Sequence, residues 1–298
     1  MNVNIATRLA VIALGFGACL VPSTASAQIT LPFSTTYDCP EQSQDTPGWV
    51  TCDGQSKGGD WQTQNSSAEQ ITAAANYPGG GGGRGHRHWF GQSHATTNNS
   101  GGVSYSFTQQ VQEVYVRWYV RWQAGTKLGG DTQPIARNHK VIYFAGGNCG
   151  YPSGCYWDIG GDHFAFVVNG RSKFFGAGWD GMFGGSYNAP SDGRWIMMEI
   201  HMKNETGGLN NGVAQWWVDG KLVVDQHDID FAGSTGFWGF ILPSNHQFTT
   251  VQGDCCDMFE DFDDVAIRTT GPIGPVAGGG SSSSGSAPTA PVNLRIVP

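Results

Sequence analysis

Apolar residues recur at every second position through long stretches of this chain. In "EVYVRWYVRW" Val114, Val116, Trp118, Val120 and Trp122 fall on one side, and Tyr115, Arg117, Tyr119 and Arg121 on the other. That alternation predicts a strand with one buried face and one polar face. Similar runs, "KVIYFAGG", "DHFAFVVNG", "RWIMMEIHMK", "GVAQWWVDGKLVVD", "TGFWGFIL" and "FEDFDDVAIR", predict further strands. In "VDGKLVVD" the pair Asp219-Gly220 separates two alternating runs, which is a hairpin signal. No long run carries helical spacing. Many strands, short turns and no helices predict an all-β fold of two packed antiparallel sheets.

The two ends follow different rules. Arg8 precedes the apolar run "LAVIALGFGACLV" and then "STASA", the order of a secretory signal, so residues 1–27 are expected to be removed before Gln28. That apolar run is too short to span a membrane. Residues 271–298 switch to "GPIGPVAGGGSSSSGSAPTAPVNLRIVP", the composition of a flexible linker and extended tail. Residues 28–270 remain as one large sandwich domain. A protein exported in this way is expected outside the cell or in the periplasm.

Composition narrows the partners. The net charge is −8, which disfavours nucleic acid because phosphate binding needs a basic surface. Only 13% of residues are charged, while 45 are Gly and 11 are Trp. Low charge with many aromatics suits a surface that meets flat, uncharged rings such as those of sugars. Beyond the signal lie Cys39, Cys52, Cys149, Cys155, Cys255 and Cys256, an even number that reads as disulfides in an exported chain, with connectivity left open. A monomer without a membrane partner is expected.

"VYVRWYVRW", "RWIMMEIHMKNETGGLNNGVAQWWVDGKLVVD" and "FEDFDDVAI" together resemble the concanavalin A-like lectin/glucanase jelly-roll superfamily, and most nearly its secreted polysaccharide-lyase-type members. The resemblance spans about residues 103–268. It implies an antiparallel two-sheet jelly-roll sandwich whose concave face forms a glycan groove. Because that fold carries lectins, hydrolases and lyases alike, activity has to be argued from side chains. Jelly-roll alginate lyases use an Arg-x-Glu-x-Arg strand; "RWYVR" is similar in spacing but holds Tyr119 where their Glu stands.

Cleavage of a uronate polymer by β-elimination requires a cation for the C5 carboxylate, a base for the C5 proton and an acid at the leaving oxygen. Arg117 and Arg121 share a strand face about 6.5–7 Å apart, so each could neutralise a carboxylate. The stretch "NYPGGGGGRGHRHWFG" runs five glycines into a basic cluster, predicting a loop that folds over the sheet. It offers His86 or His88 as the base, with Arg84, Arg87 and Trp89 as binding groups. Tyr119 or Tyr143 would be the acid. Lys140 and His139 add binding groups, and Tyr156 and Trp157 suit stacking on sugar rings. Glu199, His201 and Lys203 share another polar strand face, where Glu199 could orient His201. Each of these rows also fits an ordinary solvent-facing strand.

No cofactor is required by this chemistry. The acid-rich "GDCCDMFEDFDD" offers a candidate structural calcium site at Asp254, Asp257, Asp261 and Asp263. The sequence reading is therefore a secreted polysaccharide lyase acting on an acidic glycan. A non-catalytic lectin-like glycan binder is the alternative. A glycoside hydrolase is a third reading; it would need two carboxyls, with Glu199 and either Glu260 or Asp261 as the pairing to offer.

Overall fold

The computed structural model describes residues 28–43, 56–57, 69–90, 102–128, 139–145, 155–160, 163–168, 171–174, 192–231, 235–243, 248–250 and 258–277. Its strands in chain order begin with β1 (Gln28–Ile29), β2 (Phe33–Thr35), β3 (Gln42–Ser43), β4 (Ser56–Lys57), β5 (Glu69–Thr72) and β6 (Gly85–Phe90). Next come β7 (Val103–Val111), β8 (Glu113–Trp122), β9 (Thr126–Leu128), β10 (His139–Ala145), β11 (Cys155–Gly160), β12 (His163–Val168) and β13 (Arg171–Phe174). The last six are β14 (Ile196–Lys203), β15 (Gly212–Val218), β16 (Lys221–Ile229), β17 (Phe237–Leu242), β18 (Phe248–Thr250) and β19 (Met258–Arg268). Among the described residues the helical content is one 3-10 turn, Ala73–Ala75, and no helix is long and apolar enough to cross a membrane.

These strands form a two-sheet jelly-roll sandwich. An eight-stranded sheet runs β1-β7-β17-β10-β11-β12-β13, with β4 also on β7. A nine-stranded sheet runs β16-β15-β14-β8-β19-β6-β5-β3, with β2 also on β19. Among the described residues all strand pairings are antiparallel except β1 on β7. Residues 28–72 supply β1 and β4 to the first sheet and β2, β3 and β5 to the second, with β1 and β3 at the ends of the two strand orders.

The period-two pattern decides what the sandwich buries. Val114, Val116, Trp118, Val120 and Trp122 of β8 are all fully buried, as are Ile200, Met202 and Trp216 from its neighbours. Trp157 and Phe166 face them from the other sheet, with the Trp157 and Trp216 rings 5.3 Å apart and edge to face. The hairpin at Asp219-Gly220 forms as expected: both residues have positive φ, 48° and 77°, the backbone of a type I′ turn. Cys39 and Cys155 each take part in a disulfide, and Cys155 is fully buried. Cys52, Cys149, Cys255 and Cys256 lie outside the described residues.

Candidate functional site

Register sets the polar face of the nine-stranded sheet. Arg117 of β8 stands opposite Glu199 of β14, Tyr115 opposite His201, and Tyr119 opposite Met197. On the other side Arg121 stands opposite Asp261 of β19. The expected pair of free guanidiniums is not what this face presents. Arg121 donates through Nε to Asp261 (3.1 Å), forms a second, shorter bond through Nη2, and gives Nη2 also to the Ala74 carbonyl (2.7 Å). Arg87 donates to the same carboxylate through Nε (2.7 Å) and Nη2 (3.0 Å). One fully buried carboxylate thus holds two guanidiniums, and Arg121 serves a structural clamp instead of neutralising substrate. Arg117 differs: it is only 7% exposed, and among the described residues its Nε and Nη1 have no hydrogen-bond partner.

The Glu199–His201 relation also changes. His201 hydrogen-bonds Gln215 through Nδ1 (2.7 Å) and Glu113 through Nε2 (2.9 Å), and stacks on Tyr115 at 4.0 Å. Lys203 lies 3.9 Å from Glu113 as well. Neighbouring strands therefore supply the partners, which alternation within β14 could not reveal. Glu199 instead accepts the backbone N–H groups of Ile273 (2.6 Å) and Gly274 (2.9 Å). Of the two hydrolase pairings, Glu199 with Glu260 fails on parity, since Glu260, opposite Trp122 and His88, points inward and is fully buried; Asp261 shares the outer face with Glu199, but its carboxylate is taken up by Arg87 and Arg121.

The glycine stretch does fold over the sheet, for a reason that is local. Tyr77 stacks on Tyr119 with centroids 3.9 Å apart and meets Trp195 edge-on, and its N–H donates to Asp263 (2.7 Å). A Cβ on Gly80 would lie 1.4 Å from Oδ2 of Asp264, so the loop passes directly over that carboxyl. Burial pushes the Asp263 carboxyl up to about 8, against the N–H groups of Tyr77 and Asp264 that hold it down. Burial also raises Asp264, opposed by the Gly81 N–H and Arg117. Tyr77 is pushed up to about 12, first by burial and then by Tyr119.

After the glycines the chain becomes β6, and alternation carries the two histidines inward. His86 and His88 are both fully buried and both bonded to Glu69 of β5, His88 through Nδ1 at 2.6 Å. Burial raises the Glu69 carboxyl, but His88 and His86 outweigh it and hold it at about 2. The expectation of a loop-borne imidazole base is corrected: these rings lie on the opposite side of the sheet from Arg117 and Tyr119. Arg87 and Trp89 face outward, where the guanidinium sits 3.7 Å from the Phe259 ring centroid and Trp89 Nε1 donates to Gln70 (2.7 Å). Arg84 is half-buried, 3.7 Å from Asp38.

The remaining candidates belong to the other sheet. Trp157 is in the core, packed on Phe166 and Trp216, and cannot stack on a sugar. Its neighbour Tyr156 faces outward by alternation. Tyr156 pairs across strands with Tyr143, their rings near parallel (11°) and 5.7 Å apart, and Lys140 Nζ lies 4.5 Å from the Tyr156 centroid. A register shift between Lys140 and Ile142 brings Lys140 and Tyr143 to one face. On the same sheet Trp238 of β17 is 51% exposed. The His139 backbone pairs with Ile159 at the start of β10.

For calcium, Asp254 and Asp257 lie outside the described residues. Asp261 is filled by two arginines, and Asp263 accepts two backbone N–H groups. Among the described residues no group of three His, Cys, Asp or Glu is arranged to hold a metal ion.

No family model matches the chain, and no curated protein matches it. Solved structures similar to it include three lyases. An alginate lyase Aly36B mutant in complex with an alginate tetrasaccharide is 15% identical, covering 69% of this chain and 85% of its own at a TM-score of 0.45. An endo-β-1,4-glucuronan lyase from the fungus Trichoderma reesei is 14% identical, over 77% and 94%, at 0.44. The PL-14 alginate lyase from Aplysia kurodai is 11% identical, over 69% and 88%, at 0.46. Likenesses this distant say nothing about which residues act here, or on what.

Proposed function

We propose that the protein acts on a carboxylate-bearing polysaccharide, as a lyase, at the outward face of the eight-stranded sheet. The observation that carries this reading is the Lys140–Tyr143–Tyr156 cluster: a cation and two phenols within one patch. Lys140 would pair with the uronate carboxylate and so stabilise the carbanionic charge that develops when the C5 proton leaves. One phenol, as phenolate, takes that proton. The C4–C5 double bond forms, the C4–O bond breaks, and the other phenol returns a proton to the leaving oxygen. Arg117 and Arg121 have no part in this step. The exposed indole of Trp238 favours a second reading, a glycan-binding protein without turnover.

One experiment separates the two. The protein is incubated with alginate, glucuronan and pectate while absorbance of the unsaturated uronate is followed, alongside retention on the immobilised polymers. Rising absorbance that is lost in Tyr143→Phe and Lys140→Met supports the lyase. Retention without absorbance supports the binder. Turnover unchanged in both variants refutes the site, and neither turnover nor retention refutes the glycan reading.

A further inference from the structure

The outer face of the nine-stranded sheet is covered by the chain itself. After β19, residues 271–277 turn back across it. Arg268 Nε donates to the Gly271 carbonyl (2.8 Å), Ile273 and Gly274 donate to Glu199, and Val276 N–H donates to the Tyr119 hydroxyl (3.2 Å). Glu199 is directly opposite Arg117, and Tyr119 is two residues along from it on the same face, so this crossing passes beside Arg117. Three backbone N–H groups hold it, and none of its carbonyls reaches the Nε or Nη1 of that arginine. Beyond the crossing lies a cavity of about 760 Å³ lined by Tyr77, Gly79–Gly81 and Trp195, and walled on one side by Val276 and Ala277 of the same segment.

A buried guanidinium with two nitrogens lacking hydrogen-bond partners is expensive. The covered arrangement therefore satisfies Glu199 and Tyr119 while leaving Nε and Nη1 of Arg117 without hydrogen bonds among the described residues, its charge met through space by Asp264. The segment is also easy to lift: Gly271 and Gly274 adopt left-handed φ of 66° and 74°, and a Gly/Ser tract follows in sequence.

We propose that residues 271–277 are an autoinhibitory strap over a second ligand groove, one that takes an oxyanion-bearing sugar chain. Arg117 receives the carboxylate or sulfate in the bidentate manner of guanidiniums, and Tyr77 and Trp195 offer flat faces to a sugar ring. The strap and the ligand exclude each other, because the crossing is bonded to Glu199 and Tyr119 beside Arg117 and its Val276 and Ala277 line the cavity. This groove is on the opposite side of the sandwich from Lys140, Tyr143 and Tyr156.

The test uses the full chain in a Tyr143→Phe background, so that turnover cannot consume the ligand. Ile273→Pro with Val276→Pro deletes two strap donors without touching the sheet. Binding of oligouronate, sulfated oligosaccharide and neutral glucan oligomers is measured by calorimetry. The released variant is expected to bind an anionic oligomer at least about tenfold more tightly, since a binding-competent state populated at 10% or less weakens apparent affinity by that factor. Adding Arg117→Ala should abolish the gain, and neutral oligomers should not bind. Preference for uronate or for sulfate identifies the source of the oxyanion. In the unaltered strap, amide exchange at Gly274 and Val276 should accelerate when the ligand is added, which tests the idea without relying on the proline variant. Equal affinity with the strap held and released, a gain insensitive to Arg117→Ala, or unchanged exchange would each overturn it.

Discussion

Asp261 joins three strands through two arginines, and removing its charge measures what that clamp contributes. The carboxylate is fully buried, while the Arg87 and Arg121 side chains are 11% and 25% exposed. Asp261→Asn keeps the shape but presents an amide NH₂ to donors that cannot accept it, leaving two cations without their counter-ion. Removing one partner of a fully buried pair costs about 3–5 kcal/mol. Partial exposure of both guanidiniums brings the expectation to about 3 kcal/mol. For a domain of this size that corresponds to a fall in Tm of about 6–12 °C. Calorimetric melts at matched pH and ionic strength read the shift directly. Replacing the whole triad, Asp261→Leu with Arg87→Met and Arg121→Met, should recover most of it, because an apolar substitute needs no counter-charge. A Tm within about 2 °C of wild type for Asp261→Asn would refute the clamp, as would a triad variant less stable than the single one.

Gly80→Ala should destabilise by about 1–3 kcal/mol, because its Cβ would collide with Asp264, whereas Gly83→Ala, with open space around it, should stay within about 0.5 kcal/mol; urea midpoints compare them. The Asp263 carboxyl is held near 8 in the fold against 3.8 ordinarily, so raising the pH ionises the unfolded chain first and stability should fall between about pH 4 and 8. Asp263→Asn should flatten that slope in a pH series of denaturant midpoints. Glu69 runs the other way: lowered from 4.5 to about 2, its contribution is present above pH 4.5 and lost as pH falls through about 2, and Glu69→Gln should remove that acid-side drop.

Much of the fold was legible because burial follows a period of two. The split of β8 into a tryptophan-valine face and an arginine-tyrosine face, and the Asp219-Gly220 turn, are local facts that alternation and turn chemistry report without tertiary help. The site was less legible. Arg121 and Arg117 look identical in "RWYVR", and only the strand beside them, which places Asp261 against one, separates their roles. His86 and His88 read as loop residues because five glycines precede them. Yet β6 begins at Gly85, whose Cβ would lie 2.0 Å from the Ala75 carbonyl, and strand parity from there fixes both rings inward. Glu113, Gln215 and Glu69, the true partners of the three histidines, carry no motif at all. The signal that could have found Glu69 is its place in "AEQITAAA", where Glu and Ile alternate onto an inward face.

The position of β19 has a consequence for how the chain assembles. The last of the described strands in chain order lies in the interior of its sheet, between β8 and β6, and its Asp261 reaches partners 140 and 174 residues earlier. Until it arrives, β8 and β6 present bare edges, β2 lacks the strand it pairs with, and the sheet is in separate pieces. Closing such distant pairings is slow. A ribosome therefore delivers the keystone of this sandwich after nearly everything it must join, and the waiting pieces are prone to pair with neighbouring chains.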